Sequence, residues 1–80
     1  MNLKIVAYGI AKEIIHAREK DWQVDGIQNI SDLKKKLISD FPDFSKLTKL
    51  SFAVDEEYRE DDFILNDGDE VVIIPPVSGG

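Results

Sequence analysis

The chain contains no cysteine, and this absence excludes several kinds of chemistry. Neither a disulfide framework nor a cysteine-based zinc site is possible without it. There is also no thiol on which sulfur or an acyl group could be carried covalently. If the protein carries a group in this way, the attachment point must be a lysine or the terminal carboxylate.

Histidine and basic residues are also scarce. His16 is the only histidine, so no second histidine or cysteine could complete a metal site or an acid–base pair with it. We therefore predict no metal site. The chain has 16 acidic and 10 basic residues, and its formal net charge is −6. Nucleic-acid binding is disfavoured because it needs clustered lysine and arginine. An acidic surface suits docking to a basic protein, or solubility alone.

Long hydrophobic runs are absent as well. No apolar run approaches membrane-spanning length, and the segment after Met1 is too short for the hydrophobic region of a signal peptide. We therefore predict a cytoplasmic protein with no membrane partner. A chain of 80 residues has room for one small domain and no second core.

Apolar periodicity predicts a mixed α and β structure. Alternation predicts strands at residues 3–8, 21–25 and 50–55, with a short edge segment that begins at Tyr58, and the apolar run at 71–74 predicts the last strand. The second strand is expected to run antiparallel to the first. Gly68 lies in a tight turn before the last strand, where it can adopt a positive φ.

Helical spacing predicts a short helix from Ile10 to about Arg18, whose stripe contains Ile10, Ile14 and Ala17. A clearer helix begins after an N-cap at Asn29 and ends before Pro42. Its core stripe is formed by Ile30, Leu33, Leu37, Ile38 and Phe41. Runs of strands with one main helix predict an α+β fold, in which a mixed sheet wraps on that helix.

The last six residues, Pro75-Pro76-Val77-Ser78-Gly79-Gly80, have the features of a working tail. The two prolines should end sheet pairing and project the tail, while the glycines leave its end thin and mobile. Such a tail could enter a cleft of another protein and present its terminal carboxylate there. The alternative is a frayed chain end without a role. We therefore divide the chain into a domain at 1–74 and a protruding tail at 75–80.

An outward-facing apolar patch is also predicted. If the first and last strands are neighbours, Val6 and Tyr8 lie beside Val72 and Ile74, with Tyr58 near the rim. A contiguous apolar group on one face often marks an interface. The alternative is that a loop covers this patch. Docking through it would direct the tail, because the tail continues from the same strand.

The tail, together with Asp67-Gly68-Asp69-Glu70-Val71 before it, closely resembles the MoaD family, the small sulfur-carrier subunits of molybdopterin synthase. The length and the order of elements also match that family. The resemblance implies a ubiquitin-like β-grasp fold with a flexible Gly-Gly tail.

The resemblance also implies a function without catalysis by this chain. An E1-like, MoeB-like enzyme would use ATP to adenylate Gly80, and a sulfur donor would convert the adenylate to a thiocarboxylate. The tail, with Gly79, Ser78, Val77, Pro76 and Pro75, would enter a MoaE-like large subunit and donate sulfur to cyclic pyranopterin monophosphate. Tyr8, Tyr58 and Ile74 would contact partners, the assembly would be a heterotetramer, and no cofactor would be permanently bound.

Several rival functions remain open at this stage. The chain could be a sulfur carrier for thiamine or tRNA thiolation, although the Pro-Pro spacer and the chain length argue against the thiamine type. It could instead be a protein modifier that is conjugated through Gly80, or an interaction module whose tail has no role. A stand-alone enzyme is the weakest alternative.

Overall fold

The computed structural model describes residues 1–47 and 49–76. In chain order its elements are β1 (Asn2–Ala7), α1 (Gly9–Ile15), β2 (Glu19–Gln23), α2 (Ile30–Asp40), a 3₁₀ helix (Pro42–Lys46), β3 (Ser51–Val54), β4 (Glu57–Arg59) and β5 (Glu70–Ile74). The strands of this part of the chain form one sheet in the order β2-β1-β5-β3-β4. Only β1 and β5 pair in parallel, and the other neighbours are antiparallel. The predicted mixed sheet of an α+β fold is confirmed.

A turn before β5 sets the register of the parallel pair. The backbone N–H of Asn2 donates to Oδ1 of Asp67 over 2.6 Å, and the N–H of Gly68 donates to the carbonyl of Asn2 over 2.7 Å. Gly68 has a φ of +88°, as predicted for this turn. These hydrogen bonds hold the start of β1 against the turn. In the resulting register Ile5 pairs with Val71.

The core lies between one face of the sheet and α2. Alternate residues of the central strands point to this face, because side chains in a strand alternate between its two sides. The strand residues buried in the core cluster are Leu3, Ile5, Ala7, Phe52, Val54, Val71 and Ile73. They pack with Ile30, Leu33 and Leu37 of α2, which are at most 1% exposed. Burial of each large apolar side chain contributes about 1.5–3 kcal/mol to folding.

The helix α2 begins and ends where the sequence predicts. Oδ1 of Asn29 accepts a hydrogen bond from the N–H of Asp32 over 2.9 Å, and Oδ2 of Asp32 accepts one from the N–H of Gln28 over 3.0 Å. At the other end Asp40 is the last helical residue, and Pro42 opens the 3₁₀ helix. The cap at Asn29 is confirmed.

The first helix differs from its prediction. It ends at Ile15, because His16 adopts a left-handed conformation with a φ of 61°. Its buried residues are Ala11 and Ile15, whereas Ile10 is 41% exposed. A helix of seven residues is too short for apolar spacing to distinguish two neighbouring stripes. Packing against the sheet determines that the stripe with Ala11 and Ile15 is the buried one.

The second strand also lies two residues earlier than predicted, at Glu19–Gln23 instead of 21–25. Glu19 pairs with Val6, and Lys20 pairs with Ile5. Neither Glu nor Lys favours strands, so tertiary pairing with β1 overrides local preference here. The predicted antiparallel direction is confirmed.

We expect Asn29→Ala to lower the free energy of unfolding by about 1 kcal/mol, because the N–H of Asp32 loses its partner. Asn29→Asp, which keeps a capping oxygen, should stay close to the wild-type value. Urea denaturation followed by circular dichroism measures both. Equal stability of Asn29→Ala and the wild type would show that this cap contributes nothing.

Candidate functional site

An apolar row crosses the face of the sheet opposite the core. Val6 pairs with Val72, Val72 pairs with Ala53, and Ala53 pairs with Tyr58. Directly paired residues of neighbouring strands project from the same face. Since Val71 points into the core, Val72 and the rest of this apolar row project outward.

Exposure varies strongly along the apolar row. Tyr58 is 71% exposed and Val72 is half-buried, whereas Val6 is 5% and Ala53 is 9% exposed. The prediction that Val6 is solvent-exposed is therefore wrong. Val6 lies near the end of β1, but it has a paired residue on each side, Glu19 of β2 and Val72 of β5. Alternation predicted its side of the sheet correctly, but its neighbours determine how much of it solvent can reach. The solvent-exposed part of the apolar row is therefore contributed mainly by Val72 and Tyr58.

The hairpin between β3 and β4 brings Tyr58 to the row. Asp55 and Glu56 form its two-residue loop with φ values of 55° and 65°. Positive φ at both positions is typical of a type I′ turn, whose twist matches that of the strands. Arg59 supports the hairpin, because its Nε donates to the carbonyl of Val54 over 3.1 Å and its Nη2 donates to Glu57 over 3.1 Å.

Tyr8 and Ile74 extend the outer face toward the tail. Ala7 pairs with Ile73, so Tyr8 and Ile74 each lie one residue further along their strands. Tyr8 is 47% exposed, and Ile74 is half-buried. The guanidinium carbon of Arg18 lies 5.6 Å from the centre of the Tyr8 ring, within the range of a cation–π contact. The predicted outward orientation of Val72 and Ile74 is confirmed, and their role in partner binding remains a prediction.

Acidic side chains border the apolar row. A cleft of about 490 Å³ is lined by Asp55, Glu56, Glu70 and Val72. Nζ of Lys4 lies 3.7 Å from Glu19 and 3.9 Å from Glu70. Such exposed ion pairs contribute little to stability. Composition predicted an acidic surface in general, whereas the tertiary structure places part of it beside the apolar row.

The tail begins where sheet pairing ends. Ile74 is the last paired residue, as predicted from the prolines that follow it. Pro75 and Pro76 are half-buried. The predicted reacting residue Gly80, and the tail residues Gly79, Ser78 and Val77, lie outside the described residues, so their roles remain predictions.

Sequence reasoning missed that Pro75 lies close to Gly9. A Cβ at residue 9 would be 3.7 Å from Cγ of Pro75, an ordinary van der Waals distance. In the sequence Gly9 serves only to break the first strand, because nothing local indicates that the far end of the chain comes near it.

Residues 1–47 and 49–76 contain neither a cluster suited to a metal ion nor a helix suited to spanning a membrane. In that part of the chain no three His, Cys, Asp or Glu side chains lie close enough to hold a metal ion together. None of its helices combines the length and the apolar character that crossing a membrane requires. His16 is exposed at the end of α1.

Comparison with protein families matches residues 5–80 to a family described as the ThiS family. The chain belongs to the ThiS family. This match begins within β1 and extends through the other strands to the end of the tail.

Two curated relatives of this ThiS-family chain carry the same name, molybdopterin synthase sulfur carrier subunit. The protein of Chlamydomonas reinhardtii is 32% identical, and the match covers all of both chains. That of Dictyostelium discoideum is 44% identical over 99% of this chain and 96% of the relative. The resemblance to small subunits of molybdopterin synthase, the MoaD family, is confirmed.

Solved structures support the fold of this ThiS-family chain. Subunit 1 of a putative molybdopterin converting factor from Pyrococcus furiosus matches with a TM-score of 0.85 and 20% identity, covering 96% of this chain and 99% of that one. A complex of subunits 1 and 2 of the molybdopterin-converting factor from Helicobacter pylori matches with a TM-score of 0.66 and 20% identity, covering 100% of both chains. The predicted ubiquitin-like β-grasp fold is confirmed.

The assignment of the core face and the outer face of β5 can be tested on the free protein. Val71→Thr places a hydroxyl in the core, and we expect it to lower the free energy of unfolding by about 1–3 kcal/mol. Val72→Thr makes the same chemical change on the outer face and should cost less than about 1 kcal/mol. Urea denaturation of the pair measures the difference. Equal losses would contradict the assignment of the faces.

Proposed function

We propose that this chain is the sulfur-carrier subunit of a molybdopterin synthase. The observation that carries the proposal is the end-to-end similarity to curated sulfur-carrier subunits, at 32% and 44% identity. The absence of cysteine agrees with it, because sulfur must then be carried on another group. In this proposal the group is the carboxylate of Gly80.

The carboxylate requires activation, because it resists nucleophilic attack and lacks a good leaving group. An E1-like activating enzyme binds ATP. An oxygen of the Gly80 carboxylate attacks the α-phosphorus of ATP, and pyrophosphate departs. A sulfur nucleophile from a donor then attacks the acyl carbon. The new C–S bond replaces the C–O bond to AMP, and AMP departs. Sulfide as the nucleophile gives the thiocarboxylate of Gly80 directly, whereas a persulfide donor gives an acyl disulfide, whose S–S bond a thiol reductant then cleaves with two electrons. ATP is thus consumed by the partner, and this chain holds no permanent cofactor.

The thiocarboxylate is then used in a second complex. The tail enters the large subunit of the synthase and donates its sulfur to cyclic pyranopterin monophosphate, toward the dithiolene of molybdopterin. The catalytic groups belong to the large subunit, and this chain acts as the sulfur donor. A complex of subunits 1 and 2 among the structural neighbours supports a partner of this kind.

The outer face serves as the docking surface in this proposal. Val72 and Ile74 lie on it, and Pro75 and Pro76 follow Ile74 directly along the chain. A partner that covers the apolar row therefore also receives the tail at a fixed place. The acidic cleft at Asp55, Glu56 and Glu70 favours partners with basic residues around their apolar contact.

The carrier function is tested by the intact mass of the protein after incubation with ATP, an activating enzyme and a sulfur source. We expect a gain that corresponds to replacement of one oxygen by sulfur. A variant that lacks Gly79 and Gly80 is the control and should show no gain. An unchanged wild-type mass, with an enzyme shown to be active on another carrier, would refute the proposal. Covalent adducts with other proteins in a lysate would instead indicate a protein modifier.

The docking surface is tested by Tyr58→Ser. We expect this change to weaken binding to the large subunit by about 10-fold or more, because an exposed aromatic side chain at an interface is lost. Ile64→Ser is the matched control, since Ile64 is 60% exposed but pairs with Asn29 next to α2 rather than lying on the outer face. Isothermal titration calorimetry gives both affinities. Equal affinities for the two variants would exclude Tyr58 from the interface.

A further inference from the structure

Tyr58, the most exposed residue of the apolar row, lies on the least supported strand of the sheet. β4 is an edge strand of three residues, and β3 is its only neighbour in the sheet that the structure describes. Its residues pair with Phe52, Ala53 and Val54. So short a pairing at a sheet edge has low local stability, because few hydrogen bonds hold it and all of them lie on one side.

The turn that precedes β4 gives little support of its own. Asp55 and Glu56 have φ values of 55° and 65°, a conformation that residues with a Cβ rarely adopt. Two-residue turns of this type strongly prefer glycine at the second position. Glutamate occupies that position here, so the turn does not favour the hairpin by itself. The position of the hairpin therefore depends on contacts outside the turn.

Arg59 supplies such contacts from the opposite face of β4. It pairs with Phe52, which is buried in the core, so its side chain projects to the core side while Tyr58 projects outward. Its Nε donates to the carbonyl of Val54 over 3.1 Å, and its Nη2 donates to Oε2 of Glu57 over 3.1 Å. These two hydrogen bonds join the last residue of β3 to the first residue of β4 across the turn.

The guanidinium of Arg59 also connects the hairpin to the segment before β5. Its carbon lies 4.5 Å from the centre of the Phe63 ring, within the range of a cation–π contact. Phe63 packs against the core cluster, and its carbonyl accepts from the N–H of Ile30 at the start of α2 over 3.1 Å. Only 25% of the Arg59 side chain is exposed. One side chain thus links β3, β4 and, through Phe63, the main helix.

We propose that Arg59 is a positioning residue, which holds Tyr58 in place for docking by fixing the hairpin from the other face. This inference rests on the proposed carrier function and deepens it at the docking surface. A side chain that is ordered before contact loses less conformational entropy when the partner binds. Arginine is specifically required, because lysine has neither the Nε donor nor the planar group that stacks on the ring of Phe63.

The binding test compares Arg59→Gln with Lys46→Gln, which removes the same charge. Lys46 pairs with Asp43 within the 3₁₀ helix, and its side chain is 78% exposed. Isothermal titration calorimetry with the large subunit at about 0.5 M salt screens the charges of the acidic cleft. We expect Arg59→Gln to weaken binding by about 5-fold or more and Lys46→Gln to bind like the wild type. Wild-type affinity of Arg59→Gln would overturn the proposal.

A double-mutant cycle separates positioning from direct contact with the partner. If Arg59 acts through Tyr58, Arg59→Gln should change the affinity of Tyr58→Ser by less than about 2-fold, because the ring that it positions is already absent. Two independent contacts would instead multiply their effects, and this result would overturn the proposal.

The need for the guanidinium itself is tested by Arg59→Lys, which keeps the charge. We expect it to lose affinity as Arg59→Gln does, because both lack the Nε donor and the stacking plane. Recovery of the wild-type affinity by lysine would also overturn the proposal, since charge alone would then suffice.

A further measurement uses the free protein and does not depend on its function. The NMR order parameter of the Tyr58 backbone amide should be about 0.85 in the wild type and in Lys46→Gln, and should fall below about 0.6 in Arg59→Gln. A rigid Tyr58 in Arg59→Gln would refute the positioning role. If the wild type accepts no sulfur and binds no large subunit, the proposed function fails, while this measurement still decides whether Arg59 holds Tyr58.

If Arg59→Gln does not fold, Phe63→Leu removes the stacking contact from the other side and keeps an apolar side chain against the core. We then expect a lower order parameter at Tyr58 and weaker binding, with no further loss of affinity in the Tyr58→Ser background. Wild-type values of both quantities would overturn the proposal.

Discussion

The parallel pairing of β1 with β5 is the constraint on which the rest of the structure depends. These strands come from opposite ends of the chain, and they form the centre of the sheet. At one end of the pair, the turn at Asp67 and Gly68 holds the start of β1. At the other end, Pro75 lies close to Gly9. A parallel pair needs a long crossover, and the segment between the two strands supplies α2, which covers one face of the sheet.

This pairing gives β5 two separate tasks. Val71 and Ile73 are buried in the core, while Val72 and Ile74 project to the outer face. A single strand of five residues thus connects the packing that stabilises the domain with the surface proposed for docking. The tail follows without a linker. Pro75 and Pro76 therefore continue directly from a strand whose alternate residues are buried in the core.

Charge and apolar surface act at different stages of the proposed docking. The acidic groups around the cleft at Asp55, Glu56 and Glu70 favour approach of a basic surface, and their effect is strongest on the rate of association. The exposed ring of Tyr58 and the side chain of Val72 provide apolar surface. This surface is removed from water only after the partner makes contact, so it contributes to affinity at that later stage. The same outer face can thus serve an activating enzyme and a synthase subunit in succession, if each presents basic residues around an apolar centre.

The sequence by itself determined the local features of this protein. The cap at Asn29, the stop before Pro42, the turn at Gly68 and the two faces of β5 follow from side-chain chemistry over a few residues. Tertiary structure decided what depends on distant neighbours. In the structure β2 begins two residues earlier than alternation predicts, Val6 is buried between neighbouring strands, and Pro75 lies close to Gly9. The reason is that periodicity specifies the face on which a residue lies, whereas exposure and contact depend on strand order, which no local pattern encodes.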